Sequence, residues 1–158
     1  MNGARFLHTI YCDDVRHEIG GKVSLIGCYS SDLIVSRRAF PIVLPKLCAQ
    51  VHVVTPIDEP FGELTLRAYL NDELLAELSL DGIGQTPADK MLPVAEAPAR
   101  WAVVGAFMIF SPFALGEKNG SLRIDAQTES GTIRGMGLRL IIRESSGTKT
   151  AAPEESQR

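Results

Sequence analysis

Apolar and polar side chains alternate at every second residue along most of this chain, and this period decides its fold class. The clearest run is Leu64–Leu70, where leucine and alanine alternate with threonine, arginine and tyrosine. A strand buried on one face produces this pattern, whereas a helix repeats its apolar positions about every 3.6 residues. Similar runs lie at residues 6–12, 23–29, 47–54 and 122–127. The best helix candidate, residues 89–99, contains two prolines and is expected to be a connection instead.

Turn signals separate the apolar runs and predict about eight or nine strands. Gly20-Gly21 indicates one tight reversal, and Asn71-Asp72 predicts a two-residue hairpin loop after Leu64–Leu70. The long connection at residues 81–100 favours a crossing between two sheets over a barrel. We therefore predict an all-β, antiparallel β-sandwich of immunoglobulin-like or C2-like type at residues 1–143. A flexible, disordered polar tail is expected at residues 144–158.

Charge and hydropathy argue against two classes of partner, nucleic acids and membranes. The formal net charge is −3, and no basic stripe is present, so no nucleic-acid partner is expected. No apolar stretch approaches the roughly 18–20 residues of a membrane span. The first residues lack the pattern of a signal peptide, so we expect a cytoplasmic protein that does not contact a membrane.

Two runs, Trp101–Phe110 and residues 136–142, are apolar on both faces. They are expected to be central strands, or strands covered by a loop or by a second subunit. Further apolar segments at residues 34–35 and 40–44 lie near presumed loops. Such surfaces mark interfaces when they are exposed.

Gly135 and Gly137 share one face of the segment GTIRGMGLRLIIRE at residues 131–144. Two glycines in a strand indicate a bulge or a close approach by another group. A bulky side chain such as Trp101 or Phe107 is the simpler occupant, and another chain is the alternative.

The segment YCDDVRHEIGGK, residues 11–22, is the most distinctive stretch. Asp13 and Asp14 are expected to cap the turn between two strands, with Arg16 pairing to Asp14 or Glu18. These four residues also form the candidate binding site, and a calcium site that adds Asp32 is the less favoured alternative.

No catalytic or metal-binding motif stands out. The three cysteines, Cys12, Cys28 and Cys48, lie in apolar runs without CxxC spacing and are expected to be buried thiols. A catalytic or metal-binding cysteine remains the alternative. There is no GxSxG motif, and GIGQTP at residues 82–87 lacks the lysine of a phosphate-binding loop. No catalytic residue, metal or cofactor is therefore predicted.

Three segments carry a resemblance to a known family: CDDVRHEIGGKVSLIGCYSSDLIV, PKLCAQVHVVTP and LTLRAYLNDELLAEL. They resemble the DUF6941 family of small bacterial and phage-associated proteins of unknown function. The shared pattern falls at residues 12–18, 21–27 and 44–47, and the resemblance extends to about residue 143. It implies a β-sandwich and supplies no activity or functional residues.

Two hypotheses about function follow from these patterns. The first is a non-enzymatic β-sandwich that binds an unidentified protein partner or forms a homo-oligomer. The second is a small metal- or ligand-binding protein, or an enzyme, with its site at Cys12, Asp13 and Asp14.

Overall fold

The computed structural model describes residues 4–37, 41–80, 82 and 101–144, which build two packed β-sheets and a short two-stranded ribbon. The strands within these residues are β1 (Phe6–His17), β2 (Val23–Tyr29), β3 (Asp32–Arg37), β4 (Ile42–Leu44), β5 (Leu47–Pro56), β6 (Leu64–Leu70), β7 (Glu73–Ser79), β8 (Trp101–Phe110), β9 (Phe113–Leu115), β10 (Gly120–Thr128), β11 (Gly131–Ile133) and β12 (Gly137–Glu144).

The chain is all-β, and its sheets form a sandwich, as predicted. The four-stranded sheet has the order β2-β1-β5-β8, and all its neighbours are antiparallel. The six-stranded sheet has the order β3-β12-β10-β6-β7, with β11 paired to β10. Among the described strands, only β3 and β12 run parallel. More strands are present than the eight or nine expected, partly because β4, β9 and β11 have three residues each and are too short to show an alternation.

The core lies between the two sheets and is built from the inward positions of the period-two pattern. On β5 the inward side chains are fully buried, and they face equally buried side chains of β6 and β10. These positions are Leu47, Ala49, Val51, Val53, Leu66, Ala68, Leu122, Ile124 and Ala126.

The predicted hairpin between β6 and β7 is confirmed. Asn71 and Asp72 form its two-residue loop with φ angles of 53° and 67°. A type I′ turn needs positive φ at both central residues, which asparagine and aspartate tolerate better than most. The Asn71 Oδ1 also accepts a 2.9 Å hydrogen bond from the Ser121 amide, which ties the loop to β10.

The expectation that the first strand ends at Cys12, with Asp13 and Asp14 capping a turn, is wrong. β1 continues to His17, and the turn follows at residues 18–22, where the Glu18 amide bonds the Lys22 carbonyl at 2.8 Å. Gly20 and Gly21, with φ of 80° and 75°, do close the reversal as predicted. The adjacent acidic pair suggested a turn, but strand pairing with β2 overrides that local preference.

The two runs that are apolar on both faces have different positions. Residues 136–142 largely coincide with β12, which lies between β3 and β10 and is central to its sheet, as expected. β8 instead lies at the edge of the four-stranded sheet, so the first alternative, a central strand, is wrong for β8. The second alternative, a strand covered by a loop or a second subunit, stays a prediction.

The close approach at Gly135 is real, but the expected occupants, Trp101 and Phe107, are not there. A Cβ atom on Gly135 would overlap the Ile124 carbonyl oxygen and the side chain of Leu7. Gly135 lies in the connection between β11 and β12. The amide of Gly135 donates a 3.1 Å hydrogen bond to the carboxylate of the buried Asp125.

Several predictions fall outside the described residues: the connection at 81 and 83–100, the tail from residue 145 onwards, and the apolar residue at position 40. In the part of the chain that the structure does describe, no helix is long and apolar enough to cross a membrane.

Candidate functional site

The predicted site is centred on the place where β1 changes its neighbours. β1 pairs with β5 only as far as Cys12, whereas its pairing with β2 continues to His17. Opposite Asp13, Gly27 of β2 has a φ of 67°, a left-handed conformation that few side chains tolerate. The backbone is therefore irregular where β1 leaves β5.

The hairpin formed by β1 and β2 bends across the outer face of the four-stranded sheet. The His17 ring lies 5.8 Å from the Phe107 ring, edge to face at 83°. Phe107 is on β8, one strand beyond β5. His17 lies five positions beyond Cys12, and a straight strand would carry it about 16 Å past the β5 pairing. The contact with β8 therefore requires a bend.

Asp13 and Asp14 lie on opposite faces of β1, because successive side chains of a strand alternate. The Asp13 carboxylate accepts a hydrogen bond from the hydroxyl of Tyr29. Burial, and then this carboxylate, raise the pKa of Tyr29 to about 12. The Asp14 carboxylate accepts bonds from Lys46 Nζ and, at 2.9 Å, from the Val15 amide. The two carboxylates therefore do not converge on one ligand.

Asp14 has a charged environment of its own. The hydrogen bond from Lys46 lowers the pKa of Asp14, and the same bond raises the pKa of Lys46. Arg16 Nε lies 3.9 Å from the Asp14 carboxylate, so the predicted pairing of these two residues is present at long range. Glu18 instead accepts a 2.9 Å hydrogen bond from the Ser24 hydroxyl.

Asp32 does not join this group. Asp32 lies in the six-stranded sheet, where it forms a bidentate ion pair with Arg139 of β12 at 2.6 and 2.8 Å. Asp32 is therefore not placed to serve as the fourth carboxylate of the calcium site. Among the described residues, no group of three or more histidine, cysteine, aspartate or glutamate side chains is arranged to hold a metal ion.

Three cysteines form a row across β2, β1 and β5, which the sequence alone did not predict. Cys12 lies opposite Cys28 on one side and opposite Cys48 on the other. Cys12 and Cys48 are buried, as expected, whereas Cys28 is exposed, so that prediction is wrong for Cys28.

Both buried thiols are held in their protonated form. Burial, followed by the neighbouring thiols of Cys48 and Cys28, raises the pKa of Cys12 to about 11. Burial also raises the pKa of Cys48, whose thiol donates a long, 3.8 Å hydrogen bond to the Asp13 carbonyl. Because the thiolate is the nucleophile and the metal ligand, neither thiol is activated for catalysis.

An exposed apolar surface on the outer face of the four-stranded sheet was only partly anticipated. Phe6, Trp101, Val103 and Ile109 are 48, 41, 58 and 57% exposed, and we call these four residues the β8 patch. The strand register places all four on the face opposite the core, since Phe6 and Val103 both flank Val54. The rings of Phe6 and Trp101 meet edge to face, 6.1 Å apart.

The β8 patch adjoins a strand edge that has no partner among the described strands. β8 pairs with β5 on one side, and no described strand pairs with it on the other. The patch therefore combines exposed apolar side chains with backbone groups that no strand of the described residues pairs. The four residues of the predicted binding site lie elsewhere.

No protein-family model matches the chain, and no curated protein matches it significantly. The resemblance to the DUF6941 family therefore stays a prediction.

Proposed function

We propose that this protein is a non-enzymatic β-sandwich that acts by binding another protein or by assembling with itself through the β8 patch. The exposure of three large side chains on one strand, Trp101, Val103 and Ile109, is the observation that carries the proposal. Exposed apolar side chains mark interaction sites in soluble proteins when they lie close together, as Phe6, Trp101 and Val103 do.

The alternative function, a metal or ligand site at Cys12, Asp13 and Asp14, has less support. The Cys12 thiol is buried and protonated, and the two carboxylates point to opposite faces with partners of their own.

The remaining parts of the proposal concern the location of the protein and the class of its partner. We propose a cytoplasmic location, in keeping with three thiols that are free in the described residues. A net charge of −3 favours a protein partner over a nucleic acid.

The test is native mass spectrometry of the protein purified gently from its own host. We expect a species heavier than one 17.2 kDa chain. Val103→Lys should remove the additional mass, because a lysine in the β8 patch places an unpaired charge in the contact. Val43→Lys is the matched control, since Val43 is 48% exposed and lies on β4, outside the patch.

A strictly monomeric protein with no partner would overturn this proposal. So would an assembly that survives Val103→Lys unchanged, because the contact surface would then lie elsewhere.

A further inference from the structure

Within the residues that the structure describes, the outer edge of β8 has no partner strand, and it differs from the other three edges of the two main sheets. A strand edge presents unpaired N–H and C=O groups, and natural proteins protect such edges with charges, prolines, kinks or short strands. β7 carries Glu73 and Glu77, β3 carries Asp32, and β2 is irregular at Gly27. β8 runs for ten residues with no charged residue and no proline.

The sequence of β8 is also complementary to itself when reversed about Gly105. In an antiparallel pair with Gly105 at the centre, Trp101 faces Ile109 of the second strand, and Val103 faces Phe107. Both are pairs of an aromatic with a β-branched side chain, a combination that stabilises antiparallel sheets. On the core side the same register places the small Ala102 opposite the long Met108.

We infer that the occupant of this edge is a second copy of the chain, which pairs antiparallel along β8 with Gly105 opposite Gly105 of the partner subunit. The two four-stranded sheets then form one continuous sheet of eight strands around a two-fold axis. This inference rests on the proposed function and names the partner of the β8 patch.

The expected strength follows from the size of the contact. Ten residues at about 3.3 Å each, in a layer about 10 Å thick, give an edge of about 330 Å² per subunit. Specific, stable interfaces bury about 800 Å² per partner, so backbone pairing alone is too small. This estimate already includes the side chains on both faces of the sheet, so we expect only a weak, reversible dimer that forms at high micromolar concentration.

The main competing occupant is the segment at residues 83–100, which leads directly into β8. If that segment covers the edge within one chain, the protein is a monomer. The oligomeric state of the full chain therefore separates the two occupants.

The first experiment is sedimentation equilibrium of the full chain, from nanomolar to high micromolar concentrations. We expect wild type and Val43→Lys to dimerise equally. Val103→Lys should raise the dissociation constant about a hundredfold, because the lysine would be desolvated against Phe107 of the partner subunit. A wild-type chain that stays monomeric throughout would overturn the inference.

The outcomes also separate this inference from the proposed function. The chain alone could be monomeric while a different protein binds it, and Val103→Lys could abolish that binding. In that case the proposed function stands and the dimer is wrong. If no assembly of either kind depends on Val103, both are wrong.

The second experiment tests the register in a Cys28→Ser background, which removes the exposed thiol. Directly opposite residues have Cα atoms about 4.5–5.5 Å apart, within the range that a disulfide spans. A mixture of Val103→Cys and Phe107→Cys chains should therefore cross-link on mild oxidation. Val103→Cys alone should not, because its two copies would lie about 13 Å apart. Equal cross-linking of the single variant and the mixture would overturn the register.

Discussion

The carboxylate of Asp13 fills the space in which any residue other than glycine at position 27 would carry its Cβ atom. The two residues face each other across β1 and β2, where β1 leaves its pairing with β5. The Asp13 side chain can therefore occupy this position only because residue 27 is a glycine. Their coupling can be measured.

Gly27→Ala should destabilise the protein by about 2 kcal/mol or more, because a left-handed backbone conformation and a steric overlap are both costly for alanine. Denaturant unfolding of the purified variant measures this change.

A double-mutant cycle with Asp13→Ala separates the two causes. Removing the carboxylate relieves the overlap but not the backbone conformation, so Gly27→Ala should cost less in that background while remaining destabilising. Strict additivity of the two changes would contradict the contact between Asp13 and Gly27.

Gly135 offers a second test, with Gly137 as its control. Gly135→Ala should lower the free energy of unfolding by about 1–3 kcal/mol, since its Cβ would meet the Ile124 carbonyl and Leu7 in the core. The nearest atom to a Cβ on Gly137 is the Leu122 carbonyl oxygen at 3.5 Å, an ordinary contact. Gly137→Ala should therefore be tolerated. Equal losses at the two positions would mean that strand geometry, and not the close approach, is responsible.

The three cysteines should react at very different rates. In the native protein, one thiol should titrate rapidly with a disulfide reagent, because Cys28 is exposed and Cys12 and Cys48 are buried. The other two should react only after unfolding, since burial keeps them protonated and inaccessible. Cys28→Ser should abolish the fast phase. A fast phase that remains would show that Cys12 or Cys48 is accessible in the native protein.

Glu129 gives the structure a pH dependence. Burial alone would raise the pKa of Glu129, but hydrogen bonds from Arg5 and from the Glu63 amide outweigh it and lower the pKa from 4.5 to about 2. The carboxylate therefore stabilises the fold fully above about pH 4.5, and this contribution is lost as the pH falls towards 2. Since the side chain is 36% exposed, solvent screens the ion pair and the effect is modest.

The measurement is thermal unfolding between pH 2 and neutrality. Wild type should lose stability through this acidic window more steeply than Glu129→Gln. Arg5→Met should flatten the same part of the curve, because it removes the partner instead of the carboxylate. Identical acid profiles for wild type and Glu129→Gln would contradict the shift.

Local patterns were sufficient to predict much of the fold. The alternation in Leu64–Leu70 and the loop Asn71-Asp72 predicted β6, β7 and their hairpin, because both signals arise within a few neighbouring residues. The parallel pairing of β3 with β12 joins residues about a hundred positions apart, and no turn between them indicates it.

The candidate site was harder to predict for the same reason. Asp13 and Asp14 suggested a turn, whereas the pairing of β1 with β2 keeps them extended and places them on opposite faces. The row of Cys28, Cys12 and Cys48 exists only once the strand order is known. The edge position of β8 likewise depends on sheet order, since its apolar sequence is equally typical of a central strand.

The parallel pair of β3 and β12 also has a consequence for the order in which the protein is made. Synthesis proceeds from the N-terminus, so every strand of the four-stranded sheet leaves the ribosome before β12 does. β3 is among the first strands to emerge, yet its described partner is the last strand. A chain that ends after residue 110 but before residue 137 would therefore contain all strands of the four-stranded sheet beside an unpaired β3, the segment on which we expect chaperones to act.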